Sequence, residues 1–99
     1  MTSEQLKQLV DSVFVRLRAA AGRHAFIEHA FALVQNFVDD NWAAIFPALP
    51  STAAGKDLVD SLFTHLEGLA AAKGEFAVQM ALRVVQGVVD KYLASVLGA

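Results

Sequence analysis

Leu9-Val10-Asp11-Ser12-Val13-Phe14-Val15-Arg16-Leu17 returns as Leu58-Val59-Asp60-Ser61-Leu62-Phe63-Thr64-His65-Leu66, with six of the nine positions identical. With Glu67-Gly68 skipped, the correspondence continues 51 residues apart, from Arg18–Phe46 onto Leu69–Leu97. Ala30 then meets Ala81, Val34-Gln35 meets Val85-Gln86, Val38-Asp39 meets Val89-Asp90, and Ala43 meets Ala94. In all, 15 of 38 aligned pairs are identical, three of them in an alanine run that the gap position helps to align. An internal repeat of this kind means one supersecondary unit used twice. The expectation is an all-α chain: a duplicated helical hairpin forming a pseudo-symmetric four-helix bundle. Residues 1–99 form one domain, with repeat 1 at 3–46, a connecting turn at 47–55 and repeat 2 at 56–98.

Helical period supports that reading. Leu6, Leu9, Val10, Val13, Phe14 and Leu17 fall on one stripe, with Lys7, Gln8, Ser12 and Arg16 off it. Thr2 followed by Gln5 has the spacing of a capping box, and Gly22 suits the helix's C-terminal cap. Leu58, Val59, Leu62, Phe63, Leu66 and Leu69 repeat the stripe in a third segment that ends near Lys73-Gly74. The second and fourth segments, 24–46 and 75–97, each carry two apolar seams. Phe26, Ala30, Leu33 and Phe37 form one in the second segment, and Ala77, Ala81, Val84 and Val88 form its counterpart in the fourth. The other seam is Ile27, Phe31, Val34, Val38 and Ile45, matched by Val78, Leu82, Val85, Val89, Tyr92 and Val96. A helix with two seams must be covered on two sides, so these two helices belong in the middle. Pro47 and Pro50 end the second helix and stiffen the turn.

Composition narrows the function classes. Of the 99 residues, 56% are hydrophobic and only 18% charged, against roughly 45–50% and about 25% in ordinary globular domains. A domain this small hides only about 60–70% of its unfolded surface, so some of the apolar excess should reach the outside. The net charge of −2 supplies no basic stripe for a phosphate backbone and argues against nucleic acid. Zero cysteines remove thiolate metal sites, disulfides and a cysteine nucleophile. The start, Met1-Thr2-Ser3-Glu4-Gln5, has no signal-peptide character, and no run of about 18 apolar residues exists. No membrane span and a cytoplasmic location are therefore expected.

Sites for chemistry are scarce. His24 and His29 are five residues apart, which turns them about 140° from each other on a helix, so they cannot hold one metal from one face. His65 is expected on the polar side of the third helix. None of Glu4, Glu28, Glu67 and Glu75 has a histidine three residues later, which removes the di-iron bundle pattern. Asp60-Ser61-Leu62 resembles the attachment tripeptide of acyl carrier proteins, a likeness that would imply a tethered cofactor on Ser61. Leu58 stands where that family has glycine, and Asp11-Ser12 repeats the pair, so duplication accounts for it better. Trp42-Ala43-Ala44 likewise lacks the glycine of the Trp-x-Gly turn of small secreted helical hairpins. The polar residues shared by both halves suggest structural pairs instead, Asp11 with Gln35 and Asp60 with Gln86, holding each hairpin in register. Asp39-Asp40-Asn41 is an acidic cluster near a helix C-terminus, either solvated or turned to a partner.

The resulting expectation is a non-enzymatic protein–protein interaction or scaffolding module without cofactor or metal. It would self-associate as a homodimer or higher homo-oligomer, or take a partner helix, through apolar helix faces. Val78, Leu82, Val85, Val89, Tyr92 and Val96 are the expected interface. Two alternatives are weighed beside it. One is a carrier of an apolar small molecule or lipid between helices two and four, near Phe26, Phe31, Phe37, Trp42 and Met80. The other is a fragment of a helical-repeat array.

Overall fold

The computed structural model describes residues 2–49 and 55–97. Four helices follow one another: α1 (Ser3–Ala21), α2 (Ala25–Ile45), α3 (Gly55–Lys73) and α4 (Phe76–Val96), with a short 3-10 turn at Phe46–Ala48. No strand occurs among the described residues. The valine-rich stretch of α4 is thus helical, its weak local propensity overridden by burial.

The ends follow the local signals. Thr2 Oγ1 accepts from the Gln5 amide, and Gln5 Oε1 accepts from the Thr2 amide, closing a capping box over the first turn of α1. Gly22 and Gly74 stand at φ +80° and +68° after α1 and α3, a left-handed region where a side chain would be strained. Pro47 lies in the first turn of the 3-10 segment, where its missing N–H costs no helix hydrogen bond. One feature had no sequence signal. α2 is kinked at Asn41 (φ −118°, ψ 15°), where the Asn41 side-chain amide donates to the Phe37 carbonyl at 2.9 Å. That carbonyl is the one the Asn41 backbone N–H would bond in an undistorted helix.

α2 and α4 pack most extensively on each other, and α1 and α3 each lie against both. Phe14 of α1 meets Phe31 of α2 edge-on at 6.2 Å and Phe63 of α3 at 6.0 Å. The molecule measures 35 × 33 × 18 Å between its Cα extremes. α1 and α3 meet through Phe14 and Phe63 while α2 and α4 pack on each other, so α1 and α3 lie side by side over an α2–α4 layer. Both seams of α2 and α4 are taken up in this arrangement, Ala30, Phe37, Ala81 and Val88 being buried as well as Phe31, Val34, Val85 and Val89, and the far side of the α2–α4 layer is left open.

The alignment gap moves. α3 runs unbroken through Glu67-Gly68, with Leu66 and Ala70 both buried on one stripe. Two residues inserted within a continuous helix would turn everything after them by about 200°. The 49-residue spacing of α1 and α3 consequently holds to the end of both helices. The extra residues are absorbed because α3 runs on past the position matching the end of α1, to Lys73, and the turn after it is shorter, Gly74-Glu75 against Gly22-Arg23-His24.

Candidate interaction surface

The expected interface seam lies inside the chain. Val78, Leu82, Val85 and Val89 are 6%, 1%, 0% and 2% exposed, and Tyr92 and Val96 pack half-buried at the edge of the same core. These side chains fill the space beneath α1 and α3. Apolar period alone cannot tell a seam that faces a neighbour helix of the same chain from one that faces another chain, and here the same chain supplies the cover. The five residues considered for an apolar ligand are divided between core and surface. Phe31 and Phe37 are buried, Phe26 and Met80 are exposed, and Trp42 is half-buried against Phe46, its Nε1–H donating to Ser3 Oγ.

The surface carries other apolar groups. Phe26 and Phe76, each in the first turn of its helix, are 73% and 72% exposed, and Met80 is nearly half exposed. On α2, Phe26, His29, Leu33, Asn36 and Asp40 follow one another at 3-4-3-4 spacing and form an outer stripe, all exposed but the half-buried Leu33. On α4, Ala77, Met80, Val84, Gly87 and Lys91 do the same at corresponding positions, with Phe76 beside them and Val84 half-buried. Both stripes point away from the core that α2 and α4 share with α1 and α3. Val15 of α1 also stands out to solvent.

The shared polar residues pair otherwise than expected. Neither Asp11–Gln35 nor Asp60–Gln86 forms. Each aspartate is instead held by the lysine one turn before it: Lys7 Nζ lies 2.8 Å from Asp11 Oδ1, and Lys56 Nζ lies 2.8 Å from Asp60 Oδ2. This spacing of four needs no tertiary contact and so forms first. Lys7 also bridges to Asp39 of α2. Partial burial lowers the Lys7 pKa, but the hydrogen bonds and charges of Asp11 and Asp39 outweigh it and raise the value above 10.5. Lys56 is raised too, by its hydrogen bond to Asp60 and then by the charges of Asp60, Asp57 and Asp90. Asp39 thus ties α2 to α1, whereas Asp40 stays exposed, so the acidic cluster divides into a structural and a free member.

Gln35 and Gln86 differ. Gln35 Oε1 accepts from Arg18 at 3.3 Å, and Arg18 also donates to the Glu28 carbonyl. Gln86 Oε1 is buried without a partner among the described residues, because the helix position matching Arg18 is Glu67, which offers no side-chain donor. His65 is less solvated than its sequence position suggests. Its ring is half-buried, and Nε2 is enclosed without a hydrogen-bond partner among the described residues. Ser61 and His65 border an open cleft of about 670 Å³ beside Ala48.

No three His, Asp or Glu side chains gather into a metal cluster among the described residues, and no helix there is long and apolar enough to cross a membrane. Comparisons with protein-family models, curated proteins and solved structures give no match.

Proposed function

We propose that this chain is a non-enzymatic interaction module that self-associates, built as a duplicated helical hairpin with pseudo-two-fold symmetry. The observation that carries the reading is the pair of exposed phenylalanines, Phe26 and Phe76, on helices whose core positions are already filled. Covering one such ring contributes about 1.5–3 kcal/mol, and neither ring meets its cover within the described chain. Symmetry has independent support. α2 and α4 are both 21 residues long and begin 51 residues apart, and the corresponding Phe14 and Phe63 touch each other, as residues beside a two-fold axis do. Lys7, Asp11 and Asp39 recur in place as Lys56, Asp60 and Asp90.

Light scattering coupled to size exclusion, over a wide concentration range, tests self-association. The expected mass is twice 10.6 kDa or a higher multiple, reduced by Phe26→Ser or Phe76→Ser with the helical circular dichroism retained. A monomer at every concentration would refute the reading. If that monomer carried extra mass in native mass spectrometry, an apolar-ligand carrier would replace it.

A further inference from the structure

We infer that the outer stripes of α2 and α4 form one face that docks a second copy of this chain, face to face. This rests on the self-association proposed above and gives it a surface. Nothing among the described residues covers the far side of the α2–α4 layer, and the apolar members of the two stripes lie there together. The occupant follows from charge. Asp40 and Lys91 hold corresponding positions on α2 and α4, are both exposed, carry opposite charges, and make no ion pair among the described residues. Across the pseudo-two-fold axis they lie on opposite sides of the face. A dimer axis lying in that face, at right angles to the line joining them, sets Asp40 against Lys91 of the partner subunit. The same rotation sets Lys91 against Asp40 of the partner subunit, so both charges are matched by a single operation.

Gly87 leaves room for that approach. It lies inside α4, where glycine weakens a helix, and a Cβ built there meets nothing within 4 Å.

The test uses the full chain, Asp40→Lys, Lys91→Asp and an equimolar mixture of the two, with mass followed against concentration. Each single variant places like charges together twice per dimer, so its Kd should rise about tenfold or more. In the mixture one chain carries two lysines and the other two aspartates, so a mixed dimer should form with restored affinity. Gly87→Leu should weaken the dimer without lowering the melting temperature of the monomer. If wild type is monomeric throughout, the self-association reading fails and this inference with it. If wild type dimerises but the charge reversals and Gly87→Leu leave Kd unchanged, this face is wrong and self-association stands.

Discussion

The α1–α2 hairpin and the α3–α4 hairpin have nearly the same sequence pattern but are held together differently. The first is laced by polar contacts between its helices: Ser3 with Trp42, Lys7 with Asp39, Arg18 with Gln35 and with the Glu28 carbonyl. No hydrogen bond or ion pair joins α3 to α4 among the described residues. The second hairpin relies on apolar contact instead. Leu58 and Leu62 are buried where the matching Leu9 and Val13 are exposed or half-buried, and Ala70 of α3 is buried where Ala21 is half-buried. Partly exposed polar contacts contribute roughly 0.5–1.5 kcal/mol each, so about two of them match one fully buried leucine at about 1.5–3 kcal/mol. One backbone plan therefore tolerates either kind of fastening.

Three substitution pairs and one single substitution break or sharpen this contrast. Phe14→Ala should cost about 3–5 kcal/mol of unfolding free energy, because a large cavity opens where three rings meet. Phe63→Ala should cost about 1 kcal/mol less, since Phe63 meets one of those rings and Phe14 meets two. Denaturant midpoints with unchanged slope would establish both. The glutamines should move in opposite directions. Gln35→Met leaves Arg18 without its side-chain acceptor and should destabilise by about 1 kcal/mol, whereas Gln86→Met removes a stranded acceptor and should stabilise by about 1 kcal/mol. Equal signs in urea melts would show that Gln86 finds a partner in solution.

The lysines give a smaller contrast. Lys7→Met should cost up to about 1 kcal/mol, lessened by salt, while Lys56→Met at the exposed position should change almost nothing. The pH dependence has a defined sign. The folded-state value of Lys7 lies above 10.5, so its contribution is complete below 10.5 and disappears as pH rises through the folded value. Wild type should lose that increment on the alkaline side, and Lys7→Met should not. Comparable in size and opposite in sign to Lys7→Met is Gly68→Ala, where an added Cβ meets nothing within 4 Å on an exposed turn of α3. It should raise the melting temperature slightly, by about 0.5–1 kcal/mol in free energy, and a decrease would place an unseen contact there.

Much of the fold was legible because it is local. Capping by Thr2 and Gln5, the glycine stops, the proline stop and the helical stripes each depend on residues within a turn or two. The Asn41 kink was not legible, since the same asparagine in the same sequence can equally bond water. The shared aspartates misled across space: a lysine on their own helix was nearer than the glutamine on the facing one.

The sequence by itself determined four helices, their order, their ends and the recurrence of one pattern in two halves, because periodicity and capping act over short distances along the chain. Only the tertiary structure decided that both seams of α4 are taken up inside the chain and that the outer stripes of α2 and α4 stay open. A two-seamed helix presents both seams to any partner, and the packing of α2 on α4 with α1 and α3 over them covers both and leaves the outer face.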